Sequence, residues 1–184
     1  MITHTNEKMN KAVFLDRDGV INADYGYVHT VEKFEFLPRV IEALAKLADS
    51  DYLIIIITNQ SGIGRGLYTL DDFEKVMDYM DNELAGEGIV VDDVFYCSHD
   101  PDENCECRKP KPKLILDAAA EHNIDISKSW MVGDKNADVM CGKNAGCKTV
   151  FVKDEKKPKE ELKTEADLVV KDLYEAVEKI LNTN

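Results

Sequence analysis

The sequence predicts an α/β fold, a Rossmann-like three-layer sandwich around a mostly parallel central sheet. Three observations carry that prediction. Short apolar runs alternate with stretches whose apolar residues recur at helical spacing, the pattern of βαβ units. One run, Tyr52–Thr58 (YLIIIIT), is apolar and β-branched almost throughout, as a strand buried on both faces should be. Carboxylates, hydroxyls and thiols follow directly after these runs, where open α/β sheets gather their ligands.

Taken in order, Lys11–Leu15 (KAVFL) reads as the first strand. Arg39–Ala48 carries Val40, Ile41, Leu44, Leu47 and Ala48 as a helical stripe. After the Tyr52–Thr58 strand, Thr69 and Asp72 form a capping-box pattern that opens a helix with Phe73, Val76, Met77, Met80 and Leu84 on one face. Asp93–Cys97 is a strand and Pro112–Glu121 a helix; Ser129–Val132 is a strand and Asn136–Ala145 a helix. Lys148–Val152 is a strand, Leu168–Val170 a short edge strand, and Asp172–Leu181 the closing helix. The Lys- and Glu-rich stretch Lys153–Lys163 reads as a surface loop and short helix, and residues 1–10 as a frayed extension. No repeat or linker divides the chain, so residues 1–184 are expected to form a single domain.

Composition limits the partners. The 23 basic and 36 acidic residues give a net charge of −13, which repels nucleic-acid backbones. The longest apolar run, Leu53–Ile57, is far short of the roughly 20 residues that span a bilayer. The opening MITHTNEKMN has no apolar signal region, and an odd count of five cysteines argues against a disulfide framework. The expectation is a cytoplasmic monomer with no nucleic-acid or membrane partner.

Several strand-end segments invite a chemical reading. Asp16-Arg17-Asp18-Gly19 follows the first strand. A divalent metal held by Asp16 and a backbone carbonyl would let Asp16 attack phosphorus while Asp18 serves the departing oxygen; alone, the four residues are equally a turn. Thr58-Asn59-Gln60-Ser61 offers a hydroxyl and exposed N–H groups for a phosphate, or a helix cap. Gly62–Gly66 matches no nucleotide fingerprint and reads as a mobile loop, with Arg65 a phosphate contact or a solvated charge. Arg108, Lys109 and Lys111 are a local excess of cations in an acidic chain, suited to transferring phosphate or to a solvated turn. Asp134, with Asp138 one helical turn on, offers the hard oxygens that magnesium requires.

Cys97, His99, Cys105 and Cys107 offer four ligands within eleven positions, which suits a closed structural zinc site over residues 97–107. The intervening DPDEN is too polar to bury thiols as hydrophobes. Zinc there would fix the loop that carries Arg108 and Lys109. Cys141 and Cys147 read as small core residues, and His4, His29 and His122 carry no ligand spacing.

DRDG, the Thr of TNQ, the Lys of CRKP, and GD followed by Asp138 stand in the order and strand-end placement of the haloacid dehalogenase (HAD) superfamily, which the chain resembles from about Ala12 to Val152. The resemblance implies Asp16 as nucleophile, Asp18 as acid/base, Thr58 and Lys109 as phosphate stabilisers, and Asp16, Asp18 and Asp134 as the magnesium positions. The short stretch between Asp18 and the first helix leaves no room for a large cap domain. Within the superfamily, C-x-H…C-x-C-R-K-P is similar to two groups, the heptose bisphosphate phosphatases and the histidinol-phosphate phosphatases. FLDRDGVIN, DYGYVH, TNQSGIGRG and WMVGDK resemble the heptose group; the five-residue gap between His99 and Cys105 resembles the other. The heptose resemblance implies a magnesium-dependent phosphatase of a small phosphorylated sugar. Its implied substrate contacts are Asp24, Tyr25, Gly26, Tyr27, Thr58, Asn59, Gln60, Ser61, Lys109 and Lys135, with Arg108 recognising the far end.

Overall fold

The computed structural model describes residues 8–153 and 163–183. Six strands form one sheet in the order β3-β2-β1-β4-β5-β6, where β1 is Lys11–Leu15, β2 Tyr52–Asn59, β3 Asp93–Cys97, β4 Trp130–Gly133, β5 Lys148–Val152 and β6 Leu168–Val170. Every pairing is parallel, so the sheet is wholly rather than mostly parallel, with β6 at one edge as expected. The helices are α1 (Val40–Ala48), α2 (Ser61–Gly64), α3 (Leu70–Gly86), α4 (Lys113–Glu121), α5 (Asn136–Ala145) and α6 (Leu173–Leu181).

Strand alternation divides the core into two layers. Val13, Leu15, Ile54 and Ile56 pack with Leu44 and Leu47 of α1, Val76 and Met80 of α3 and Val177 and Ile180 of α6. Ala12, Phe14, Ile55 and Ile57 face the other way and pack with Leu114, Ile115 and Ala118 of α4 and Cys141 of α5. The period of two along each strand thus buries both sheet faces, which is why β2 carries no polar residue before Thr58 except its first, Tyr52. The strand order reverses beside β1, which lies between β2 and β4. Ligand crevices of open α/β sheets form at such a switch point, outside the carboxyl ends of the strands. Asp16 immediately follows β1 at that end.

The Thr69 capping box is present: Thr69 Oγ1 accepts from Asp72 N at 3.1 Å and Asp72 Oδ2 accepts from Thr69 N at 2.8 Å. Other boundaries shift for local reasons. α1 starts at Val40 because Arg39 is left-handed, at φ 64°. β4 starts at Trp130 because the Ser129 hydroxyl closes the preceding turn, donating to Asp125 O at 2.8 Å and accepting from Ala12 N at 3.0 Å. The expected mobile loop Gly62–Gly66 instead begins inside the one-turn helix α2, closed by Arg65 N donating to Ser61 O at 3.1 Å. Of the extension expected to fray, residues 1–7 lie outside the described residues, while Asn10 bonds Asn123 O and Asp125 N through its backbone. The loop and short helix expected over Lys153–Lys163 fall on residues 154–162, also outside those described. Between β1 and α1 lie loops and one 3-10 turn, Val31–Lys33, and no cap domain. Among the described residues no helix is long and apolar enough to cross a membrane.

Candidate active site

The carboxyl ends of β1, β2 and β4 and the loop after β3 meet at a cleft of about 290 Å³, with Asp16, Lys109 and Asp138 among the residues lining it. Lys109 organises its floor. Its buried ammonium lies 2.8 Å from Asp16 Oδ1, 2.6 Å from Asp138 Oδ1 and 2.8 Å from the Ile57 carbonyl, so all three N–H donors are engaged. Asn59 clamps the backbone of the same residue: its Oδ1 accepts from Lys109 N at 3.1 Å and its Nδ2 donates to Lys109 O at 3.4 Å. Asp138 in turn accepts Lys135 N on Oδ2 at 3.0 Å, which caps α5.

Burial pushes the Asp16 carboxyl up to about 6; Lys109 opposes that rise and Asp138 adds to it. Burial by itself would lower the Lys109 ammonium, but Asp138 and Asp16 outweigh it and hold Lys109 above its ordinary value. Lys135, whose side chain is half exposed, is also held up, by Asp134, Asp16 and Asp24 acting against partial desolvation of its amine. Gly19 lets this floor close. At φ +88°, it approaches Asp134 so nearly that a Cβ would lie 2.4 Å from Asp134 Oδ2.

Asp18 is not part of the floor. Its carboxylate turns to Arg17, Asn22 and Gln60: Arg17 Nη2 donates to both oxygens at 2.9 and 3.0 Å, Asn22 Nδ2 to Oδ1 at 2.9 Å and Gln60 Nε2 to Oδ2 at 3.1 Å. Arg17 itself is fully buried, donates also to the Val28 carbonyl at 2.8 Å, and stands over the Phe73 ring at 5.7 Å. Sequence reasoning missed Arg17. The available signal was a charged residue at the end of an otherwise apolar strand, between two site carboxylates.

Thr58 is buried beneath the cleft, with its hydroxyl oxygen accepting from Gln60 Nε2 at 2.8 Å. Asn59, Gln60 and Ser61 line the cleft wall. Asp24, Gly26, Tyr27, Arg108 and Lys135 form the outer rim. Lys135 Nζ lies 3.0 Å from Asp24 Oδ2, and Arg65 ties two rim loops together by donating to Tyr27 Oη at 2.7 Å and to Asp100 Oδ2 at 3.0 Å. Arg65 is thus an exposed charge, its side chain 41% accessible, held by two rim partners and not set on the floor. Tyr25 is 63% exposed, is not among the residues that line the cleft, and donates to Glu35 Oε2 at 2.6 Å. Arg108 Nη1 is buried with no hydrogen-bond partner among the described residues.

The sulfur and imidazole ligands converge after β3. Cys97 Sγ lies 2.9 Å from Cys107 Sγ and 3.4 Å from Cys105 Sγ; His99 Nδ1 lies 3.2 Å from Cys107 Sγ and 3.6 Å from Cys97 Sγ. A tetrahedron with Zn–S bonds of about 2.3 Å has edges of about 3.8 Å, so this donor set and spacing fit a closed zinc site. Cys141 and Cys147 are buried core thiols, as expected. Asp93, Glu121 and His122 also lie together, but at the opposite end of β3 from the cleft, and His122 Nε2 there pairs with Asp93 Oδ2 at 2.7 Å.

The floor also fits a hard cation. Ligand oxygens of Asp16, Asp134 and Asp138 lie within 4.8 Å of one another, all buried. Three buried carboxylates meet one fully buried ammonium, that of Lys109, among the described residues, an excess of negative charge that a divalent ion bound by oxygen would offset.

This all-parallel switch-point sheet with its carboxylate–lysine floor has the arrangement that the HAD resemblance implies, and likeness to known proteins identifies the class as phosphoric monoester hydrolases of the HAD type. The HAD-hyrolase-like family model matches residues 106–176. The chain is 51% identical over 140 residues to the D-glycero-beta-D-manno-heptose-1,7-bisphosphate 7-phosphatase of Helicobacter pylori strain J99, covering 76% of this chain and 80% of that protein. It is 44% identical over 172 residues to the enzyme of the same name from Pasteurella multocida, covering 90% and 94%. A crystal structure of D,D-heptose 1,7-bisphosphate phosphatase from B. bronchiseptica, complexed with magnesium and phosphate, superposes with a TM-score of 0.87 at 34% identity, covering 95% of this chain and 99% of that one. The chain belongs to the HAD-type D-glycero-D-manno-heptose-1,7-bisphosphate 7-phosphatase family.

Proposed function

We propose that this chain, acting as a single domain, removes the 7-phosphate of a D-glycero-D-manno-heptose 1,7-bisphosphate through an aspartyl-phosphate on Asp16. One observation carries the reading. The buried Asp16–Lys109–Asp138 chain forms the floor of a cleft whose outer wall presents Arg108, with a guanidinium nitrogen that has no partner. A floor for the reacting phosphate and a guanidinium on the cleft wall with one nitrogen still unbonded among the described residues suit a substrate with a phosphate at each end.

In the first step an Asp16 oxygen attacks the phosphorus, the bond from phosphorus to the C7 oxygen breaks, and Asp18 delivers a proton to that oxygen. In the second, water attacks the aspartyl-phosphate, Asp18 takes the water's proton, and inorganic phosphate leaves as the Asp16 carboxylate is restored. Lys109 offsets phosphate charge from beneath, and Thr58 donates its hydroxyl. Asp16, Asp134 and the backbone carbonyl of Asp18 would hold magnesium, which supplies further neutralisation of phosphate charge when bound. Asp18 would serve through its carbonyl because its carboxylate is held by Arg17, Asn22 and Gln60.

Cys97, His99, Cys105 and Cys107 would hold a structural zinc that anchors the Arg108–Lys109 loop. Five free thiols suit a reducing compartment, and a monomer would suffice because one chain supplies every site residue.

The test is phosphate release with and without magnesium from both anomers of the heptose 1,7-bisphosphate and from histidinol phosphate. Phosphorus NMR reports which phosphate leaves. The two relatives are named for the β anomer, so it is the first substrate to assay. Loss of the 1-phosphate, or preference for histidinol phosphate, would refute the proposed specificity. Elemental analysis of protein purified without added zinc tests the second metal: less than about a tenth of an equivalent, with the thiols reduced, would refute it.

A further inference from the structure

Gln60 is buried at the end of β2, and its backbone N–H is fixed to the Cys97 carbonyl at 2.7 Å. Its side-chain amide touches three groups. Nε2 lies 3.1 Å from Asp18 Oδ2 and 2.8 Å from Thr58 Oγ1, while Oε1 lies 2.6 Å from Tyr68 Oη. Only one orientation of the amide satisfies all three. The Asp18 carboxylate, ionised as its pairing with Arg17 requires before substrate binds, accepts and does not donate, so the amide nitrogen faces Asp18. Both of its hydrogens are then engaged, one on Asp18 and one on Thr58. The carbonyl oxygen faces Tyr68, whose phenol must be the donor.

The phenol is held where this requires. Its ring lies against Gly62, where a Cβ would come within 2.0 Å of Tyr68 Cε1. His29 stacks on the ring at 4.9 Å with planes 1° apart. Burial pushes the phenol up to about 12, so it keeps its proton to donate. The direction of donation therefore runs one way, from Tyr68 to Gln60 and from Gln60 to Asp18 and Thr58. Because the Thr58 oxygen accepts from Gln60, its own proton must point elsewhere.

We infer that Tyr68 and Gln60 are positioning residues, a phenol–amide relay that orients the Asp18 carboxylate toward the leaving oxygen and turns the Thr58 hydroxyl proton toward the transferring phosphate. This rests on the phosphatase reading above and deepens it. It also changes the place of Gln60, which the family resemblance makes a substrate contact. A substrate contact sets KM; a relay sets kcat and responds to the leaving group.

The test compares Tyr68→Phe and Gln60→Glu with the wild type on the heptose bisphosphate and on nitrophenyl phosphate, whose leaving group needs no proton. Tyr68→Phe keeps the ring between Gly62 and His29 and removes only the donor. It should lower kcat on the sugar phosphate about tenfold, with KM within about twofold, and lower kcat on nitrophenyl phosphate by only about threefold. Gln60→Glu replaces the donor facing Asp18 and Thr58 by an acceptor, and should lower kcat on the sugar phosphate by about 100-fold or more. Circular dichroism and thermal unfolding check that both variants fold; Tyr68→Phe decides the question if Gln60→Glu does not. A rise in KM with kcat unchanged overturns the inference, since it makes the pair substrate contacts. Equal losses on the two esters also overturn it, because Asp18 would not be involved. Wild-type turnover with unaffected variants overturns this inference alone. Wild-type protein inactive on both esters overturns the phosphatase reading and this inference with it.

Discussion

The floor and the rim of the cleft are built on different physical terms. The floor is buried, and its ion pairs, Lys109 with Asp16 and Lys109 with Asp138, have side chains no more than 7% exposed. Removing one partner from such a network leaves an uncompensated buried charge, which costs about 3–5 kcal/mol. The rim pairs lie in water: Lys135 with Asp24 is 49% and 32% exposed, and Arg65 with Asp100 is 41% and 26% exposed. Pairs of that kind contribute about 0–1 kcal/mol each. The floor is therefore fixed before substrate arrives, and the rim can rearrange around it. On the proposed reading, chemistry common to every phosphate ester belongs to the first, and choice among esters to the second.

That division fails or sharpens at its strongest point first. Asp16→Asn should leave the fold intact and lower turnover by roughly 10³-fold or more on every ester, because the nucleophile is gone. Trapping of the phosphoenzyme by rapid quench should also disappear. Retention of more than a few per cent of wild-type turnover would remove Asp16 from the covalent step.

Lys109→Met should act almost as strongly. A loss of about 10²–10³-fold is the scale of removing one charge-stabilising donor from a preorganised site. It should fall equally on a bisphosphate and on a small monophosphate, since both share the transferring group. Unfolding in the absence of metal should show a cost of about 3–5 kcal/mol, because Asp138 and Asp16 lose their buried counter-ion. A variant that harms only the bisphosphate would break the separation of floor from rim.

Arg108→Ala probes the rim. The residue has one buried guanidinium nitrogen without a hydrogen-bond partner among the described residues, outside the floor in which Lys109 pairs with Asp16 and Asp138. Its loss should reduce kcat/KM on the bisphosphate by about 10–100-fold, the scale of one charge-assisted contact. The monophosphate should change by less than about threefold. Equal losses on both would make Arg108 part of the floor.

The same contrast explains what the sequence made legible. The strands could be read because burial on both faces leaves unbroken apolar runs such as Leu53–Ile57, and α3 because Thr69 and Asp72 reciprocate across its first turn. Asp16, Asp18, Thr58, Lys109 and Asp134 could be singled out because each stands at a strand end or in a short motif. What each side chain touches could not be read. Lys109 meets Ile57, 52 positions earlier, and Gln60 meets Asp18, 42 positions earlier, so their roles exist only once the sheet has formed. Arg17 was missed because a lone arginine after a strand ordinarily reads as solvated, and its burial depends on Val28 in one distant loop and on Phe73 and Met77 of α3. Asp138 was noticed as a metal candidate, and its pairing with Lys109 needed α5 docked on β4. Tyr25, placed at the site by resemblance, points to Glu35 because nothing in its local sequence specifies which neighbour it faces.

The smallest expected effect, a pH dependence, belongs to the floor alone. Burial raises the Asp16 carboxyl to about 6, above its ordinary 3.8, so the fold favours the neutral form. For a carboxyl raised in this way, ionisation costs stability. The cost is absent below about pH 4, grows as pH rises through the 4–6 window, and is complete above it, on the order of 3 kcal/mol in metal-free protein. The proposed attack needs the ionised form, so kcat/KM at limiting magnesium should fall about fivefold between pH 6 and pH 5. Raising magnesium should move this limb to lower pH, because a cation beside Asp16 favours its charged form. Metal-free Asp16→Asn protein should lack the corresponding slope in stability, which denaturant unfolding at pH 4, 5 and 6 would measure. The limb should stand at the same pH for a bisphosphate and a monophosphate, since both meet the same floor in the free enzyme. A limb that shifts with the substrate, or one indifferent to magnesium, would place the titrating group elsewhere than on Asp16.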